Sequence, residues 1–172
     1  MGHRSGQRQA DLSSISSLRT LFDALGRVDA LVCCAGNAAF GPLEELTDRQ
    51  FQLGLDSKLM GQVNLVRVAT PFVADGGSIT LTSGVLSQEP MPGGAAISMV
   101  NAGVEGFVRG AALELPRGIR INVVSPPWVS ETLEAMGRDP SSGLPAASVA
   151  SAYAEAVQGS RNGETIDARQ FA

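Results

Sequence analysis

Apolar positions along the chain follow two rhythms. After the Ser13-Ser14 pair, Ile15, Leu18, Phe22 and Leu25 recur at spacings of three and four, which predicts a serine-capped amphipathic helix stopped by Gly26. Asp29 to Cys34 is a short apolar run ending at Ala35-Gly36, the pattern of a strand covered on both faces of a parallel sheet. Pro42 and Thr47 open a helical region, and Leu59, Met60, Val63, Val66 and Ala69 mark a helix from about Leu59 to Thr70, with Pro71 at its end. Ser78 to Thr82 reads as the next strand. Ile97, Val100, Val104, Phe107, Val108, Ala111 and Leu115 then form one side of a long helix that stops before Pro116.

Ile119 to Val124 is another strand, and Pro126-Pro127 breaks the chain before Trp128 to Leu144, a Gly, Pro and Ser-rich stretch expected to be mobile. A helix near Ala146 to Val157 and a strand near Glu164 to Ala168 follow. At the other end, Gln7 to Asp11 reads as a short, polar, strand-like piece. Strands alternating with helices imply right-handed crossovers and an α/β fold, a Rossmann-like doubly wound parallel sheet.

Composition narrows the function classes. With 172 residues and 44% apolar content, residues 1–172 are expected to form a single domain around one core. A net charge of −4 offers no basic stripe for nucleic acid. No apolar run approaches the roughly 18 residues that span a bilayer, and the start has no signal-peptide core, so a soluble, cytoplasmic protein is expected. Gly2 does not begin a myristoylation pattern, because Gly6 stands where Ser or Thr is needed. Cys33 and Cys34 are the only cysteines; as sequence neighbours on a strand they point apart, and both are expected as buried thiols. His3 is the only histidine, so no metal site is expected, and little room is left for a Ser-His hydrolase.

One stretch carries more specific information: Gly77-Ser-Ile-Thr-Leu-Thr-Ser83-Gly84, then Ala95 to Phe107, then Ile119-Arg-Ile-Asn122-Val-Val-Ser-Pro126. It resembles the short-chain dehydrogenase/reductase family, in which a strand ends in a catalytic Ser and a Tyr-x-x-x-Lys pair follows on the next helix. An ungapped match puts Gly84 in the Ser place, Ile97 in the Tyr place and Asn101 in the Lys place. That chemistry needs a proton donor brought toward neutral pKa, with Lys⁺ helping the Tyr and Ser polarising the carbonyl. Ile97 donates nothing and Asn101 carries no charge.

The resemblance covers nearly all of the chain and begins close to the end of the family's second strand. The family's Thr-Gly-x-x-x-Gly-x-Gly turn would precede Met1, so a strand-helix-strand unit of ~30 residues is expected to be missing. Either Met1 is a misassigned start or the unit is absent. Its absence would leave an apolar edge beside Asp29 to Cys34, to be filled by Gln7 to Asp11 or covered by a second subunit.

The resemblance also implies a cofactor side. Arg4 and Ser5 match the place where a basic residue and a hydroxyl hold the 2′-phosphate of NADP, although without the Gly-rich turn Arg4 reads more readily as a solvated terminal residue. Asp11 and Leu12 match the pair that touches adenine, and Asp11 also suits a turn or cap. Ala35 and Gly36 keep the second half of the family's Asn-Asn-Ala-Gly turn, with Cys33 and Cys34 replacing the amides. Pro126 and Val129 resemble the Pro-Gly-x-Val stretch whose Val backbone contacts the nicotinamide carboxamide.

Two substitutes for the missing chemistry stand out. Ser83 is one residue from the catalytic Ser place and is otherwise a satisfied strand-end serine; Lys58 takes the place of the family's structural Asn, facing the same cleft, and is otherwise a snorkelling lysine. Tyr153, the only tyrosine, is not assigned the missing role. The resemblance thus implies an NAD(P)-dependent oxidoreductase that is degenerate, with little hydride transfer. The alternatives are an atypical NADP-dependent reductase using Ser83 and Lys58, acting on a small carbonyl or alcohol, or a binding and assembly module that forms a homo-oligomer through the helix from Ile97 to Leu115.

Overall fold

The computed structural model describes residues 7–172. Its centre is a parallel four-stranded sheet in the order β1 (Val28–Val32), β2 (Val73–Thr82), β3 (Arg120–Ser125) and β4 (Thr165–Asp167). The connections carry α1 (Ile15–Leu25) ahead of β1, then α2 (Asp48–Gly54), α3 (Gly61–Ala69), α4 (Ala95–Ala111), α5 (Ser130–Ala135) and α6 (Ala146–Gln158). This is the Rossmann-like α/β architecture that the strand and helix rhythms predict.

The strand period of two sorts the sheet's residues onto its faces. Leu31, Cys33, Ile79, Leu81, Ile121 and Val123 join Leu18, Phe22, Leu65, Val66, Val104 and Val108 from α1, α3 and α4 in one core. Val124 and Ile166 meet Val149, Ala152 and Ala156 of α6 in a second. The first core is apolar throughout. The second face is mixed, because Thr80, Thr82 and Asn122 alternate with the residues of the first.

Two polar ties hold α6 to this second face. The Arg120 guanidinium donates to the carbonyls of Ala156 (3.2 Å) and Val157 (2.8 Å), satisfying acceptors that the helix end leaves open. Tyr153 and Thr82 share a hydroxyl hydrogen bond of 2.6 Å.

Ser14 caps α1 as expected, accepting from the Ser17 N–H at 3.2 Å, and Gly26 ends it at φ +68°. Gln7 to Asp11, in contrast, forms no strand and does not line up beside β1. The reason is local: the Asp11 carboxylate accepts from the Ser13 N–H (2.9 Å) and hydroxyl (2.8 Å), and the Asp11 carbonyl accepts from the Ser14 N–H, turning the chain into α1. Among the described residues β1 is therefore an edge strand, and its Ala30 and Val32 are exposed.

Trp128 to Leu144, expected to be mobile, is ordered. Leu144 donates to the Trp128 carbonyl (2.8 Å) and accepts from the Ser130 N–H (3.0 Å), closing the segment around α5. Asp139 caps the turn at Pro140–Ser142, and the Glu131 carboxylate accepts from the Ala146 N–H at the start of α6. The cysteines also differ from expectation: Cys33 is buried in the first core and Cys34, which alternation turns the other way, is exposed. Among the described residues no helix is long and apolar enough to cross a membrane.

Candidate functional site

The carboxyl ends of β1, β2 and β3 converge, as they do wherever an open parallel sheet offers a ligand crevice. At β2 the chain passes through Thr82, Ser83 and Gly84, and three helices reach for these residues. Gln62, fully buried on α3, accepts from the Thr82 N–H (2.9 Å) and donates to the Thr82 carbonyl (2.9 Å), taking the place of a neighbouring strand. The Thr82 hydroxyl donates to the Cys33 carbonyl at 2.6 Å, tying the ends of β1 and β2 together. Tyr153 packs over it. Burial foremost, with Cys34 nearby, pushes the Tyr153 phenol above its ordinary range.

Lys58 lies in a single π-helical turn, Leu55–Met60, inserted between α2 and α3. Such turns re-aim one side chain and recur at functional sites. The turn after β1 locks it there, since Gly36, at φ +139°, runs so close that a Cβ on it would lie 2.8 Å from the Lys58 Cα. The Asn37 N–H donates to the Ser57 hydroxyl (3.0 Å) and the Gln62 amide to the Lys58 carbonyl (3.1 Å). So held, the Lys58 Nζ donates to the Ser83 carbonyl at 2.9 Å. Among the described residues no carboxylate pairs with it. Desolvation lowers its pKa to about 8, against a small opposing effect of Cys33, whose own thiol burial pushes up to about 11.

Ser83 and Lys58 therefore meet, but through the serine's backbone. The Ser83 hydroxyl points elsewhere, donating to the buried Glu105 carboxylate at 2.8 Å. Glu105 also accepts from the Ser87 hydroxyl (2.6 Å) and the Gln88 amide (3.2 Å), so this inward carboxylate is satisfied on both oxygens. The sequence signal for it lay in the helix period, since Asn101, Glu105 and Val108 share the inner face of α4.

Of the three places that the resemblance gives to Ser, Tyr and Lys, Gly84 and Asn101 are in contact. The Asn101 amide donates to the Gly84 carbonyl at 3.3 Å, and a Cβ on Gly84 would lie 3.0 Å from that amide nitrogen. Ile97 lies one helical turn before Asn101 on α4 and is half-buried. Two polar atoms on this helix, Asn101 Oδ1 and Ser98 Oγ, are buried without a hydrogen-bond partner.

On the cofactor side the residues separate. Arg4 and Ser5 lie outside the described residues. Asp11 is engaged in the turn before α1, and Leu12 packs against the core with its Cβ 3.1 Å from where a Cβ on Gly61 would stand. Ala35 and Gly36 leave β1 and are exposed. Pro126 leaves β3 and its carbonyl accepts from the Val85 N–H (3.1 Å), while Val129 bridges to Leu144. A bound dinucleotide would meet backbone at these strand ends, but among the described residues no Gly-rich turn leads into a helix N-terminus to hold its phosphates. An open cavity of about 540 Å³ lies elsewhere, on α1 beside Arg8 and Thr20.

Comparison with known proteins places this arrangement. Residues 3–165 match the family model described as enoyl-(acyl carrier protein) reductase. An uncharacterized oxidoreductase of Methylorubrum extorquens is 34% identical over 126 residues, which is 70% of this chain and 51% of that protein. The chain spans about half the length of the curated relatives it matches. Among solved structures, the protein lin1944 from Listeria innocua superposes with a TM-score of 0.91 at 39% identity, over 96% of this chain and 84% of that one. A small-chain dehydrogenase in complex with NADPH gives a TM-score of 0.82 at 28% identity, covering 92% and 80%.

Proposed function

From the premise that the chain belongs to the short-chain dehydrogenase/reductase family, we propose that it is a degenerate member, with a weak NADP site and little or no hydride transfer. The observation that carries this reading is the contact between Asn101 and Gly84. The amide fills the space beside a residue with no side chain, where the family's reaction calls for a hydroxyl and an ammonium, and Ile97 one turn away has no proton to give. The Ser83 hydroxyl, held by Glu105, has its proton committed within the protein. Relatives named as a hydroxynaphthalene reductase and a 2-dehydro-3-deoxy-L-rhamnonate dehydrogenase (NAD(+)) support a carbonyl or alcohol substrate, and the NADPH-bound neighbour supports NADP.

A second reading, an atypical reductase, is favoured by one observation: the Lys58 amine stands at the end of β2 with its pKa lowered by burial to about 8. One experiment separates the two. NADPH oxidation is followed spectrophotometrically with a panel of small ketones and aldehydes, for the wild type and Lys58→Ala. No turnover by either is expected. Robust wild-type turnover would overturn the degenerate reading, and its loss in Lys58→Ala would put the atypical reductase in its place.

We also propose a homo-oligomer built through the outer face of α4, where Met99 is exposed together with Ala102, Gly106 and Gly110, and Leu113 is exposed in the turn that follows. Small residues there let a second helix approach closely. Sedimentation velocity is expected to show a dimer or larger assembly at micromolar concentration; a monomer at every concentration would remove this part of the reading.

A further inference from the structure

Lys58 is the only lysine in the chain, all other cationic side chains of the Lys and Arg class being arginine. Its surroundings differ from those of a lysine that merely covers apolar surface. Such a side chain carries its ammonium out to water. Here the π turn, Gly36 and the Gln62 amide fix the stem, and the amine turns inward to a single carbonyl, that of Ser83. One N–H is thereby used. When the amine is uncharged, its lone pair remains free to act on a reactant entering at the strand ends.

We propose that Lys58 is a covalent carbonyl-capture site, whose uncharged amine condenses with a small aldehyde to form an imine. The nitrogen lone pair adds to the carbonyl carbon, and the carbonyl oxygen takes up the proton released from nitrogen. That hydroxyl then leaves with the second nitrogen proton as water while the nitrogen lone pair forms the C=N bond, so the step needs no oxidant or reductant. A small aldehyde fits better than a ketone or a large carbonyl compound because Lys58 is more than half-buried.

The electrostatics support the geometry. The titratable groups that bear on Lys58 are the Cys33 thiol, which burial pushes up to about 11, and Tyr153 across Thr82, whose phenol burial also raises; the Glu105 carboxylate lies behind Ser83, held by Ser83, Ser87 and Gln88. Neither the thiol nor the phenol is an anion near neutral pH. A lysine at about 8 rather than 10.5 has roughly 300-fold more free base at pH 7. Desolvated lysines are activated as nucleophiles in this way. The inference does not rest on the dehydrogenase reading, because imine formation uses no nicotinamide.

The test is reductive trapping. The folded protein is incubated with propanal and sodium cyanoborohydride at pH 7, which fixes imines as secondary amines and leaves thiol adducts unreduced. Digestion and mass spectrometry then compare Lys58 with the chain's α-amino group, an internal reference with an ordinary pKa of about 8. Labelling of Lys58 at a rate within about tenfold of the α-amine is expected in the folded state. In guanidinium chloride the Lys58 rate, relative to that reference, is expected to fall by about 100-fold. Labelling confined to the α-amine in the folded protein, or faster at Lys58 once unfolded, would overturn the proposal. Neither outcome bears on NADPH turnover, so the two readings fail separately.

Discussion

Lys58→Met is expected to raise the stability of the protein at pH 7 by on the order of 2–3 kcal/mol, an unusual direction for a core-directed substitution. The sign follows from linkage. In the folded state the amine titrates at about 8, and in the unfolded chain near 10.5, so between those values the unfolded state holds more protons. Stability owed to this group therefore rises with pH across that window, and below it the buried charge is a steady penalty. Methionine removes the charge while keeping the stem's volume, at the expense of the hydrogen bond to the Ser83 carbonyl. Urea unfolding of both proteins checks this at pH 7 and pH 10. The advantage of the variant should shrink as pH rises, and an equal or larger advantage at pH 10 would contradict the assignment. Cys33 acts oppositely above pH 9, since its folded pKa is raised, but it is present in both proteins and only its coupling to Lys58 remains in the difference.

The second large effect is at the turn that holds this lysine. Gly36→Ala is expected to destabilise the fold by on the order of 4 kcal/mol, because two penalties coincide. Its φ of +139° is one that an L side chain rarely adopts, and the new Cβ would lie 2.8 Å from the Lys58 Cα and 3.0 Å from its Cβ. Backbone faces backbone there, so no rotamer change relieves the clash. Gly26→Ala serves as the control, with a positive φ and nothing within 4 Å of the added Cβ, and should cost only about 1 kcal/mol. Chemical denaturation of the two variants decides the matter; similar losses would mean that the close approach to Lys58 is unimportant.

Much of the sheet was legible because its strands are read from short apolar runs: Asp29 to Cys34, Ser78 to Thr82 and Ile119 to Val124 all appear within a few residues of where they were expected. Gln7 to Asp11 failed for a reason periodicity does not contain, since one carboxylate turning back on Ser13 outweighs a weak strand pattern. The resemblance located Gly84, Ile97 and Asn101, and the structure brings Gly84 and Asn101 into contact. It could not give the direction of the Ser83 hydroxyl, which depends on Glu105 22 residues onward. Tyr153 was passed over because distance along the chain says little in a fold that wraps its last helix back over the first strand ends; it meets Thr82 across 71 positions. The assignment of Lys58 to the same cleft rested on the family match, but the π turn that aims it has no signature in hydrophobic spacing.

The fastening of α6 carries a mechanical consequence. Its rear end is riveted by the Arg120 guanidinium and its middle by the Tyr153 phenol, so the helix can hardly slide along the sheet without breaking both. Val149, Ala152 and Ala156 seat the same helix on Val124 and Ile166, so displacing α6 from the strand ends costs apolar burial as well as the two polar ties.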